Sequence, residues 1–83
     1  MVFERAYADE LDSLRRTREA VRRAEETITV SLRVKPTPAA VVVRDVAERL
    51  KISRGTVKLA LLGMMHSGAV RLGETYEVTL ADH

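Results

Sequence analysis

Basic side chains are concentrated in the middle of the sequence, where their chemistry suits a polyanionic partner. Residues 33–72 hold eight basic residues against two acidic ones, a net charge of +6, although the whole chain carries only +2. Residues 1–32 hold six basic residues against seven acidic ones, and residues 73–83 hold three acidic residues and no basic one. A concentrated positive field favours a polyanion as partner. The alternative is a solvated surface with ordinary charge statistics.

Catalytic and metal-binding chemistry is not indicated by the sequence. His66 and His83 have no Cys, Asp or Glu at ligand spacing, so we expect no metal site. The serines lie in no nucleophile motif, and the sequence contains no glycine-rich phosphate loop. We therefore expect no catalytic residue and no cofactor, and we do not expect an enzyme.

The length of 83 residues, without cysteine, fits one domain over residues 1–83. A domain of this size buries only about 60% of the surface that its unfolded chain exposes, so a partner surface would add stability. The longest apolar runs, residues 39–43 and 59–65, are too short to cross a bilayer. We expect a cytoplasmic protein without membrane contact, nucleoid-associated if it binds DNA.

An apolar stripe with a seven-residue repeat predicts a helix over residues 3–26. Arg18 and Glu25 occupy positions that a regular coiled coil would fill with apolar residues. The stripe is therefore either the face that packs on the rest of the domain or a weak homodimer seam. The predicted interface residues on it are Tyr7, Leu11, Leu14 and Val21.

Residues 27–34 fit two kinds of secondary structure. Strict alternation of apolar and polar residues, many of them β-branched, favours a strand. Ala24, Ile28 and Leu32 would also extend the helical face. We favour the strand. Lys35 and Pro36 end either element, because the residue before a proline is pushed out of helical geometry.

Helical spacing returns at residues 43–67, where two helices are separated by a short turn. Ser53 is suited to cap the second helix, and Gly68 is suited to end it. Residues 69–80 predict a β-hairpin with its turn at Gly73-Glu74. The residues expected to face the core are Val43, Val46, Ala47, Leu50, Val57, Ala60, Leu61, Met64, Val70, Tyr76, Val78 and Leu80.

The sequence VAERLKISRGTV at residues 46–57 resembles the helix-turn-helix of winged-helix transcription regulators. Its aliphatic-Ala pair, the Leu three residues later, the aliphatic-Ser pair and the Thr-Val pair match the pattern of that family. The resemblance continues through Ala60-Leu61, Met64, Gly68 and Val70, and it covers about residues 43–80. It implies a mainly α fold with a small β-sheet, a winged helix-turn-helix preceded by a long N-terminal helix.

The resemblance also implies a small homodimeric regulator that reads double-stranded DNA with the helix starting at Ser53. Arg54, Thr56 and Lys58 would lie in or beside the major groove, and Ser53 would cap the helix and contact the DNA backbone. Phosphates would be bound by Arg44, Arg49 and Lys51, with Arg71 as the basic residue of the wing.

The chain departs from the family pattern at three places. Lys51 stands where the turn usually holds glycine, and the wing carries Glu74 and Glu77. The outer face of the second helix becomes apolar at Leu59, Leu62 and Met65. This patch is covered by the N-terminal helix, or is a dimer seam, or binds another protein. The alternative function is therefore a winged-helix interaction module in a larger assembly, with this patch as its binding face.

Overall fold

Three helices and three short strands follow one another in the order helix, strand, helix, helix, strand, strand. In this computed structural model the backbone is described for residues 2–81 and the side chains for residues 8–81. The helices are α1 (Val2–Val34), α2 (Ala39–Leu50) and α3 (Arg54–His66), and the strands are β1 (Thr37–Pro38), β2 (Val70–Leu72) and β3 (Glu77–Leu80). The strands form one antiparallel sheet in the order β1-β3-β2. The expected class, mainly α with a small β-sheet, is confirmed.

The strand predicted over residues 27–34 is wrong, because α1 continues as a helix to Val34. The helical arrangement buries Ile28 and Leu32, together with Ala24, on one face. A strand would have placed Val30 and Val34 on the same face as Ile28, whereas in the helix both are exposed. Tertiary packing of the helical face therefore prevails over the β-propensity of this segment. The helix ends before Pro36 as expected.

A two-residue strand, which the sequence analysis did not predict, connects α1 to α2. Thr37 lies opposite Val78, and Pro38 lies opposite Glu77 at the edge of the sheet, where a proline is tolerated. Pro38 also stands at the N-cap of α2 with φ −56°, a value that its ring imposes. The helix consequently begins at Ala39, four residues before the predicted start at residue 43.

The turn between α2 and α3 holds Lys51 in the left-handed conformation, with φ 55° and ψ 46°. The turn therefore holds a non-glycine residue at a positive φ. The backbone N–H of Ile52 donates to the carbonyl of Ala47 at 3.1 Å and closes the turn. The side chain of Ile52 packs against the core.

The C-terminal end of α3 leads directly into the hairpin. Gly68 has φ 82°, as expected for a residue that ends a helix, and the N–H of Ala69 donates to the carbonyl of Met64 at 2.8 Å. The predicted hairpin is confirmed with shorter strands and a turn over residues 73–76. The expected burial of Tyr76 is wrong, since this residue lies in the turn with φ 62° and is 69% exposed.

The core is formed by apolar side chains from all three helices and from the sheet. The predicted helical positions of α2 and α3 face inward, with Leu50 at the edge of the core, and Val70 and Val78 close the core from the sheet. Within the described side chains the buried set is Ala24, Ile28, Leu32, Val42, Val43, Val46, Ala47, Val57, Ala60, Leu61, Met64, Val70 and Val78.

The N-terminal part of α1 extends beyond this core. All side chains of residues 8–19 are exposed, and the molecule is 52 Å long in its longest dimension against 25 and 19 Å in the others. Leu11 and Leu14 are 50% and 57% exposed, whereas Val21 packs against the core. The predicted interface residue Tyr7 lies outside the described side chains. Across residues 2–81, every helix is too short or too polar to span a membrane.

Candidate nucleic-acid interface

The N-terminus of α3 is fixed by two hydroxyl side chains. Ser53 has extended backbone angles, and its Oγ accepts a hydrogen bond from the N–H of Thr56 at 3.1 Å, so the predicted N-cap is confirmed. Ser53 Oγ also lies 2.8 Å from Thr56 Oγ1. Helix geometry leaves the N–H groups of Arg54 and Gly55 without a carbonyl partner in the helix. The helix therefore starts with free amide donors and the positive end of its dipole.

Arg54 and Lys58 are both exposed, and they lie one helical turn apart on α3. With Leu62 they line one side of a groove of about 400 Å³, whose other side is formed by the beginning of α2 at Ala39 and Ala40. No residue of α3 is acidic. Two cations therefore stand next to the free amides, on a helix face without an opposing charge of its own.

The other predicted phosphate-binding residues are divided between two regions. Arg44 and Lys51 are exposed, and Arg44 Nε pairs with Asp45 Oδ1 at 3.1 Å. Arg49 lines a different groove of about 470 Å³, between the C-terminal end of α1 and α2. The structure therefore does not bring Arg49 together with Arg54.

Arg71 lies on β2 directly opposite Thr79 of β3, so the two side chains share one face of the sheet. Thr79 borders a groove with Arg33 and Pro36 at the end of α1. Arg71 is exposed and lies on the face of the sheet opposite Val70 and Val78, which face the core. The exposed Glu74 and Glu77 make the hairpin tip itself acidic.

The second half of α3 presents apolar side chains to solvent. Leu59 and Leu62 are 54% and 61% exposed, whereas Met65 is half-buried and packs against the core. α1 crosses α3 beside Gly63, where an added Cβ would lie 3.9 Å from Glu25 Oε2. This crossing leaves the outward side of Leu59 and Leu62 uncovered. The predicted patch is therefore reduced to two exposed leucines.

Tyr76 is a candidate that the sequence analysis placed in the core. Its carbonyl accepts a hydrogen bond from the N–H of Ala39 at 2.9 Å, and Ala39 lines the groove of Arg54 and Lys58. The exposed tyrosine therefore belongs to the turn that adjoins this groove. Alternation along the hairpin predicted an inward position for Tyr76, and that prediction is wrong because the left-handed conformation at this residue interrupts the strand.

Among the side chains of residues 8–81, no three of the types that bind metal ions are close enough to hold one. The chain matches no protein-family model, no curated protein and no solved structure. The residues and their geometry are therefore the basis for any functional conclusion.

Proposed function

We propose that this chain is a winged helix-turn-helix domain that binds double-stranded DNA as a homodimer and acts as a sequence-specific transcription regulator. The observation that carries this function is the start of α3, where a capped helix end with free amides is followed by the exposed Arg54 and Lys58 on its first two turns. The order of the elements supports it as well, because two helices joined by a tight turn are followed by a hairpin.

Each feature at the start of α3 has a physical role in this function. The free amides and the helix dipole attract a phosphate, and the two cations release counterions when they meet the DNA backbone. On a specific site the same long side chains of Arg54 and Lys58 can instead reach guanine O6 and N7 in the major groove. Thr56 has its hydroxyl held by Ser53, so its contribution is to the position of the helix end.

Fluorescence anisotropy with a random-sequence duplex, repeated over a series of salt concentrations, tests the proposed function. The double variant Arg54→Ala/Lys58→Ala removes two cations from the helix start. Each lost phosphate contact flattens the plot of log affinity against log salt by about 0.9 units, so we expect a slope flatter by about two units.

The matched control is Arg22→Ala/Arg23→Ala, which removes the same charge from exposed positions on α1. We expect its affinity and salt slope to stay close to those of the parent protein. Equal slopes for the parent protein and the Arg54/Lys58 variant would contradict DNA binding through α3.

A second candidate function is supported by the two exposed leucines on α3, which suit an interaction module that binds another protein. The variant Leu62→Lys separates the two functions, because position 62 lies beside Lys58 on the same groove. If α3 meets DNA, the added cation steepens the salt slope by about one unit. If the folded parent protein does not bind the duplex even at low salt, the interaction module is favoured.

A further inference from the structure

Residues 8–19 of α1, called the arm below, form a helical segment that is exposed on all sides. An isolated helix of this length is marginal in water, and most helical stability in proteins comes from packing of an apolar face. The arm has such a face in Leu11 and Leu14, which are 50% and 57% exposed and lie one turn apart. Together with Arg15 and Arg18 these leucines line a shallow groove on the arm.

The charges of the arm are separated along its length. Asp9, Glu10 and Asp12 lie on the N-terminal side of the leucine pair's centre, and Arg15, Arg16 and Arg18 lie on its C-terminal side, where Glu19 at the end of the arm is the one acidic residue. The ion pairs found among the described side chains, Arg22–Glu26 and Arg44–Asp45, involve none of these residues. The arm is therefore self-complementary in charge when a second arm lies beside it in the opposite direction.

We infer that the arm pairs with the arm of a second copy of this chain in an antiparallel helix pair. Packing in such a pair sets Leu11 of one copy against Leu14 of the other, and the two-fold axis then passes between residues 12 and 13. In this register Asp9 and Glu10 lie at the level of the partner's Arg16 and Arg15. A parallel pair would set the acidic halves together and the basic halves together, which repels.

This arrangement names the surface that joins the two copies of the proposed DNA-binding homodimer. The overlap of the two arms, residues 8–17 of each copy, is about 15 Å long at 1.5 Å per residue. An interface of this length is small compared with those of stable dimers, so we expect a dissociation constant on the order of micromolar. Opposite charges contribute to it, so high salt weakens the pair.

Sedimentation equilibrium without DNA, from low to high micromolar concentrations, tests the pairing. We expect a mass that rises from one chain of 9.3 kDa towards two. Leu11→Ser/Leu14→Ser changes exposed side chains, and we expect it to raise the dissociation constant at least about tenfold, a factor that corresponds to 1.4 kcal/mol. The matched control is Leu59→Ser/Leu62→Ser, which removes two exposed leucines from α3 and should leave the mass unchanged.

Charge reversal tests the complementarity directly. An acidic arm is made by Arg15→Glu/Arg16→Glu/Arg18→Glu, and a basic arm is made by Asp9→Lys/Glu10→Lys/Asp12→Lys. We expect each variant alone to be a monomer and their mixture to form a pair. The rest of the described chain, residues 20–81, is called the body below. Because all six side chains are exposed, circular dichroism should give the same unfolding midpoint of the body for both variants.

The direction of the pair is tested with spin labels on single cysteines, since the chain has no native cysteine. In the antiparallel register, labels at Ser13→Cys lie at nearly the same level along the helix axis, whereas labels at Glu19→Cys are about 20 Å apart along it. We therefore expect a longer distance at position 19. Equal distances at both positions, a monomer at every concentration, or loss of the dimer in the Leu59/Leu62 control would each overturn the inference. None of these results depends on DNA, so the DNA-binding proposal stands or falls separately.

Discussion

Residues 21–34 and the arm, residues 8–19, belong to the same helix, and both carry apolar side chains at helical spacing. In the first region Ala24, Ile28 and Leu32 are buried against the rest of the molecule, whereas in the arm Leu11 and Leu14 are half exposed. The sequence pattern is the same on both sides of residue 20. An apolar stripe therefore predicts that a helix face is covered, but it does not determine whether this chain or another one covers it.

The same distinction separates the two halves of α3. Its inward residues are buried throughout the helix, whereas its outward face is basic near Arg54 and apolar at Leu59 and Leu62. Stability therefore depends on one set of side chains and the proposed binding on another. Variants at matched positions in the two regions can measure this separation.

The largest expected difference comes from proline in the two halves of α1. Thr27→Pro removes a helical hydrogen bond and kinks the helix beside Ile28, so we expect a loss of about 3 kcal/mol or more in the free energy of unfolding. Ser13→Pro makes the same change in the arm. We expect it to reduce the helical circular dichroism signal while the urea midpoint of the body stays unchanged. A lower midpoint for Ser13→Pro would show that the arm is part of the cooperative unit.

A second pair of variants compares the side chains on the stripe. Ile28→Ala leaves a cavity at a fully buried position, and we expect it to lower the free energy of unfolding by about 3 kcal/mol. Leu14→Ala truncates an exposed side chain, and we expect a change within about 0.5 kcal/mol in dilute protein. Urea unfolding of both variants measures the two losses in the free energy of unfolding. Similar losses would contradict the division of α1 into a packed segment and an exposed arm.

The smallest expected effect is at Lys51, which the body holds in the left-handed conformation. That conformation costs a non-glycine residue about 1 kcal/mol, and Lys51→Gly removes this strain while it adds freedom to the unfolded chain. We expect a net stabilisation of about 0.5 kcal/mol. Lys51→Val serves as the control, because a β-branched residue fits the turn less well and should destabilise the domain. A destabilised glycine variant would show that the lysine side chain contributes contacts to the fold.

The helices α2 and α3 and the hairpin could be predicted because one periodicity fits each of them. The spacing of Val43, Val46 and Leu50 has a helical interpretation and no alternating one, and Ser53 and Gly68 mark the ends of α3. The predicted start of α2 at residue 43 is too late, because residues 39–42 are uniformly apolar and show no helical spacing. Pro38 stands at the N-cap without a side-chain hydrogen bond, so it does not mark the start as Ser53 does for α3.

The remaining features depend on tertiary contacts that a sequence pattern does not contain. Residues 27–34 fit both the helical and the alternating periodicity. The packing of α1 against α2 and α3 selects the helix. The strand β1 is two residues long and includes a proline, so no propensity indicates it. Arg49 and Arg54 line different grooves, because Arg49 faces the end of α1 whereas Arg54 faces the start of α2.

Chemical-shift mapping by ¹⁵N NMR during titration with a random-sequence duplex tests the central claim that α3 and the arm have different tasks. We predict that the largest shifts fall on residues 53–62, on the adjoining start of α2 at Ala39 and Ala40, and on Tyr76. Residues 8–19 should keep their shifts when the protein concentration is held far above the dissociation constant of the pair, so that the protein is already dimeric. Shifts concentrated in the arm, or a folded protein whose α3 resonances do not respond to DNA, would contradict the account.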